Sequence, residues 1–160
     1  MYQSHWGLEQ SPFRSCLDPR FFYPSPTHDE ALARLHFLVE QRHRLGLLLG
    51  PGGSGKSLLL EVFARQCAVA GCAVAKVNLL GVEPDELLAQ LTCQLNRDCS
   101  ATQPIAALWR TLTDRLAELR YEQRPAVLLF DDAECAHPTT SDMLVRTAQH
   151  DPSPDARLTR

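Results

Sequence analysis

The sequence has 160 residues, 44% of them hydrophobic, and a formal net charge of −3. That size and apolar content suit one domain with its own core, and the weak negative charge gives no global attraction to nucleic acid or anionic lipid. No apolar run approaches a membrane span, and the opening MYQSHWGLEQSPF lacks the basic-then-apolar order of a signal peptide, so the chain reads as cytoplasmic.

Residues 1–26 read as an irregular segment packed on the remainder, 27–160, with prolines at 12, 19, 24 and 26 and aromatics at 6, 13, 21, 22 and 23. Thr27-His28-Asp29-Glu30 reads as a capping box. Ala31, Leu35 and Leu38 then give a helical stripe that Gly46 would stop. The basic clusters at Arg42-His43-Arg44 and 120–124 read as solvated helix ends. A short buried strand follows at 46–49, then a helix over 56–70 closed by Gly71, and a second strand over 73–79. Pro84 opens a helix to about residue 96, 98–103 is a polar connection, and Pro104 opens another helix to about residue 123. A third strand spans 127–130, continuously apolar as buried parallel strands are. Pro138 precedes a last helix to about residue 149, and HDPSPDA is a loop. Strands alternating with helices mean an α/β domain with a parallel sheet.

Six cysteines, at 16, 67, 72, 93, 99 and 135, form no C-x-x-C pair and read as reduced thiols acting as small hydrophobes. His5, His36, His43 and His150 show no ligand spacing. Trp6 and Trp109 read as core residues, and Arg110 and Arg115 as solvent-facing.

The stretch LGLLLGPGGSGKSLLLEVFAR carries the most chemistry. Gly50-Pro51-Gly52-Gly53-Ser54-Gly55-Lys56-Ser57 fits G-x-x-x-x-G-K-[ST]. Glycines reach backbone angles that bulky residues cannot, so successive N–H groups can turn inward on one anion. The helix N-terminus that follows adds unpaired N–H groups and partial positive charge. Lys56 would reach the β and γ phosphates, Ser57 would ligate Mg²⁺, and Leu58 completes the nucleotide-contacting set. The loop reads as a nucleoside triphosphate site.

Val127-Leu128-Leu129-Phe130-Asp131-Asp132 supplies the other half. An apolar strand ending in two acids delivers carboxylates to the C-terminal edge of the sheet, where open α/β folds bind ligands. Asp131 would hold Mg²⁺ beside Ser57, and Asp132 would orient or activate the attacking water. Such a pair favours an ATPase over a small-molecule kinase.

Together, HWGLEQSPF, DPRFFYPSPTHDEALARLHFLVEQ, LLGPGGSGKSLLLEVFARQ and VLLFDDAE resemble the ATPase domain of general secretion pathway protein A. That family belongs to the AAA+ superfamily, near the origin-recognition and transposition-helper ATPases. The resemblance covers nearly the whole chain. It implies a three-layer α/β/α P-loop fold of AAA+ type that binds ATP and Mg²⁺, hydrolyses ATP and forms homo-oligomers. In full-length, membrane-associated relatives it implies that turnover drives assembly of secretion machinery at the envelope. Such relatives continue into a lid, a membrane span and a peptidoglycan-binding region.

This sequence departs from the pattern twice. The family usually has Glu where Asp132 stands; one methylene fewer predicts slow hydrolysis, because catalysis is sensitive to shifts of about 1 Å. Glu134 would leave the strand edge at a different angle, so Asp132 is the favoured residue. Second, the family's strand order places the next strand beside 46–49, and here it would begin near residue 158. The last strands, the sensor residue, the arginine finger and the lid are therefore expected to be missing. Segment 46–49 would then lack ladder partners, leaving the chain loosely folded and nearly inactive.

Phe21, Phe22 and Tyr23 fit two roles equally: a wall for the adenine, as the resemblance implies, or a hydrophobic staple at the entry to the first long helix. His28 could contact nucleotide, but as a helix N-terminal residue it reads as structural. Two other functions stay open. One is a DNA-transposition or replication-initiation ATPase, although no residue here points to direct nucleic-acid binding. The other is a nucleotide-binding remnant without turnover.

Overall fold

The computed structural model describes residues 2–7, 17–95 and 103–150. Most of the 98–103 connection, the loop from residue 151 and the strand expected near 158 lie outside them. Helix α1, Tyr2–His5, and a 3-10 turn, Pro19–Phe21, precede α2, Pro26–Glu40. Then come α3 (Lys56–Val69), β1 (Ala73–Asn78), α4 (Pro84–Leu95), α5 (Ile105–Tyr121) and β2 (Ala126–Asp131). A second 3-10 turn, Ala133–Cys135, leads into α6, Pro138–Gln149.

β1 and β2 run parallel, with Ala73 opposite Ala126 and Asn78 opposite Asp131. Alternation sorts their side chains onto two faces. Ala75, Val77, Leu128 and Phe130 pack against Leu87, Leu88 and Leu91 of α4 and Leu112 of α5. Val74, Val127 and Leu129 pack on the other side against Leu59, Phe63 and Cys67 of α3 and Leu32 of α2. The arrangement is three-layered, helices on both faces of a parallel sheet, as an α/β reading requires. Full burial of each large core leucine contributes roughly 1.5–3 kcal/mol.

β1 bonds to its partner through Ala73 N–H, which donates to Pro125, while Leu79 N–H donates to Asp131. The even-numbered residues of β1 therefore turn their backbone groups away from β2. At the middle of that outer margin, Gln94 of α4 grips Lys76 at both ends. Its Oε1 accepts from the Lys76 N–H (2.7 Å) and its Nε2 donates to the Lys76 carbonyl (2.8 Å). The Lys76 ammonium pairs with Glu61 of α3 at 2.7 Å.

Several expectations need correcting. The segment 46–49 forms no strand: residues 45–50 lie outside any helix or strand. Leu45, Leu47 and Leu49 are 67%, 75% and 83% exposed, so an apolar sequence here has found no ladder to join. The cap of α2 is Ser25, not Thr27: its hydroxyl accepts from the His28 N–H, and Pro26 takes the first helical position that suits its missing N–H. α2 also stops earlier than Gly46. Arg42 adopts φ +55° while His43 N–H reaches the Leu38 carbonyl and Arg42 N–H the Val39 carbonyl, a Schellman ending without glycine. Gly46 serves close approach instead, because a Cβ there would run into Leu38 Cδ1.

Trp6 is 72% exposed rather than core, whereas Trp109 packs on the α4–α5 cluster beneath the Arg146 guanidinium. Arg115 does not face solvent. It is half-buried, donating to the Leu95 carbonyl and pairing with Glu118 and Glu122. Cys67 and Cys72 are buried free thiols as expected, but Cys93 is disulfide-bonded, against the expectation of six reduced cysteines.

Candidate functional site

The site grows from the start of α3. Gly55 is its N-cap, in the left-handed region at φ +84°, with no side chain accepting from the first turn. Helix N–H groups left this way carry partial positive charge and suit an anion. Gly53, at φ +77°, sits in the same left-handed region, which costs glycine little. Gly50 answers a different demand: a Cβ there would come within 2.9 Å of Ser54 Oγ, so a side chain at 50 would displace that hydroxyl.

Lys56 folds back over this loop and donates to the Gly50 and Pro51 carbonyls at 2.9 and 3.1 Å. Both acceptors are neutral, so an anionic oxygen entering the loop would offer the ammonium a stronger, charge-assisted bond. Ser57 points toward the sheet, where its Oγ donates to Asp131 Oδ1 at 3.1 Å across 74 residues of sequence. Asp131 is 7% exposed, and the same Oδ1 accepts from the Asp132 N–H at 3.2 Å.

Asp132 leaves β2 in the left-handed region, φ +53° and ψ +42°, a conformation aspartate tolerates better than most residues. Asn78 holds it there. The Asn78 Nδ2 donates to Asp132 Oδ2 at 2.6 Å, and the Asn78 Oδ1 accepts from the Leu80 N–H at 2.9 Å. The amide is thus fixed from one side and restrains one carboxylate oxygen from the other. Asn78 went unnoticed in the sequence. Its signal was the polar residue that ends the strand Ala73–Asn78, one strand over from Asp131 and level with it.

An open cavity of about 650 Å³ gathers these groups. Gly52, Gly53, Gly55, Lys56, Ser57 and Leu58 line one side, and Asp131 and Asp132 line the other. Leu17 and Glu134 complete the rim. Gly50, Pro51 and Ser54 form the outer turn of the loop rather than the cavity wall. Phe21, Phe22 and Tyr23 do not line the cavity. Phe22 is half-buried against the α2–α3 cluster and tilts on His28 at 5.5 Å between ring centroids, while Phe21 and Tyr23 are exposed.

No cluster of three or more His, Cys, Asp or Glu side chains suited to a metal occurs among the described residues. Mg²⁺ does not require one, since it is held by one or two carboxylates together with water and phosphate oxygens. A hydroxyl and a carboxylate already in contact at the edge of an open cavity fit that chemistry. No helix among the described residues is long and apolar enough to cross a membrane.

Comparison with known proteins bears on the family. Residues 39–152 match a family model described as an AAA domain. General secretion pathway protein A of Aeromonas hydrophila is 24% identical over 144 residues, covering 90% of this chain. The chain spans 26% of that relative's length. No solved structure matches.

Proposed function

Because this chain belongs to the AAA domain family, we propose that it binds ATP with Mg²⁺ in the 50–58 loop and hydrolyses it slowly to ADP and phosphate. The observation that carries the reading is the contact between Ser57 Oγ and Asp131 Oδ1, which brings the two distant motifs to one cavity. Glycine N–H groups and the α3 N-terminus receive the phosphates. Lys56 exchanges its carbonyl partners for β and γ oxygens. Ser57 and Asp131 would hold Mg²⁺, which supplies charge neutralisation on the phosphates. Asp132 orients the attacking water with the oxygen that Asn78 leaves free, so Asn78 is a positioning residue for that step.

From the similarity to a general secretion pathway protein we propose a role in assembling an envelope or secretion complex, and with it homo-oligomerisation through this domain and a cytoplasmic location. A second reading, nucleotide binding without turnover, is favoured by one observation. The short Asp132 side chain is already engaged by Asn78 at 2.6 Å.

Calorimetric titration with ATP, with and without Mg²⁺, followed by a phosphate-release assay, tests both. Binding that Mg²⁺ tightens and Lys56→Ala abolishes, with circular dichroism unchanged, supports the site. Equal affinity in Lys56→Ala and parent would refute it, and binding without phosphate release would select the second reading.

A further inference from the structure

We propose that His28 is a positioning residue for the phosphate-binding loop, pinning the Ser54 carbonyl so that the next N–H, on Gly55, is presented to the bound polyphosphate. The inference rests on the nucleotide reading of the same cavity. His28 stands in the first turn of α2, 26 residues before Ser54, and its ring is packed between two segments. On one side Nε2 lies 3.2 Å from the Ser54 carbonyl oxygen. On the other, Nδ1 lies 3.0 Å from Ser25 Oγ and 3.3 Å from the Tyr23 carbonyl oxygen.

The contact between Nε2 and Ser54 is a hydrogen bond in one direction only. A carbonyl oxygen can only accept, so the nitrogen facing Ser54 must carry the hydrogen. Ser25 permits this in a neutral ring: its hydroxyl oxygen accepts from the His28 N–H as the helix cap while its own hydrogen goes to Nδ1. The Tyr23 carbonyl beside the same nitrogen can only accept, so Ser25 permits, without alone imposing, the tautomer in which Nε2 donates to the loop.

The consequence follows from peptide geometry. The described chain contains no cis peptide bond, so the Ser54 C=O and the Gly55 N–H point in opposite directions. With the carbonyl held toward His28, the N–H is turned away from it, and Gly55 lines the cavity. Glycine alone would leave this peptide plane free to rotate, having no Cβ to resist. The imidazole removes that freedom from behind; a Cβ on Gly55 would stand 3.4 Å from Nε2. The loop is ordered for its ligand before the ligand arrives, which lowers the cost of binding.

The test compares ADP and AMP on the whole chain, by competition against a fluorescent ATP analogue. His28→Phe keeps a ring against Phe22 but removes the donor. It should weaken ADP about tenfold and leave AMP within twofold, since AMP lacks the phosphates that Lys56 reaches. His28→Gln and His28→Asn keep the test independent of how the phenylalanine packs. The longer amide should retain the preference for ADP over AMP, and the shorter one should lose it. Unchanged ADP affinity in His28→Phe, or equal losses of ADP and AMP, would overturn the positioning role. A parent chain that binds neither ATP nor ADP overturns the nucleotide reading itself, whereas a parent that binds both and is indifferent to His28 overturns only this inference.

Discussion

The two sides of this molecule spend similar apolar sequence in opposite ways. Around β1, α4 and α5, Leu87, Leu88, Leu91 and Leu112 are 0% exposed, each enclosed by a helix and a strand. Leading into the glycine-rich loop, Leu45, Leu47 and Leu49 are equally hydrophobic yet face outward. Hydrophobicity alone does not decide burial. A strand-forming sequence is buried only where neighbours pair its backbone, because an unpaired buried amide costs about 1–3 kcal/mol. The glycine-rich loop and the Asp131–Asp132 pair lie on the seam between the settled half and the unpaired one.

The largest effect should come from cutting into the settled half. Leu112→Ala removes a fully enclosed side chain and should cost about 2–5 kcal/mol, read as a fall in the urea midpoint. A loss below about 1 kcal/mol would mean the α4–α5 layer packs more loosely than its burial indicates. On the seam, Asn78→Ala frees the Asp132 carboxylate. Turnover should fall about tenfold while ATP affinity stays within twofold, as expected when an interaction matters mainly in the transition state. Equal kcat in the two proteins would remove Asn78 from the mechanism.

A pH scan reads the α3 face of the sheet. Burial pushes the Cys67 thiol up from 9.0 to about 11, with neighbouring Cys72 adding to the shift. The unfolded chain therefore releases this proton before the folded one does. Its stabilisation is fully present below pH 9 and is lost as pH rises through about 11. Cys67→Ala should flatten that part of the stability profile; an identical slope in both proteins would dissociate the thiol from the effect. The smallest change belongs to the unpaired side. Leu47→Ala should alter unfolding by less than about 0.5 kcal/mol. A core-sized loss there would show the 45–49 segment to be packed in solution, erasing the contrast.

Local spacing was what the sequence made legible. The loop pattern, the helix beginning at Lys56, the prolines that open α4 and α6, and the acidic end of β2 are all decided within a few residues. What escaped was decided across space or by exceptions to local rules. Arg42 and Gln123 both end helices at positive φ, at +55° and +56°, where glycine is the usual signal, so Gly46 drew the boundary of α2 too late. Ser25 displaced Thr27 as the cap because Pro26 takes the first helical position. Asn78 and His28 acquire meaning only from partners 54 and 26 residues away. The strand expected at 46–49 had the right composition and no ladder.

The grip of Gln94 on Lys76 gives the sheet a direction. An open strand margin is a template on which any extended peptide, including a second copy of this chain, can add. On β1 the outward-facing backbone groups belong to residues 74, 76 and 78, and a side-chain amide already occupies the central one, mimicking a neighbouring strand for the length of one residue. An incoming strand would have to evict it before zipping along β1. Recruitment is thus discouraged at that margin, and any further strand would join more readily across β2, the side on which Asp131 and the glycine-rich loop lie.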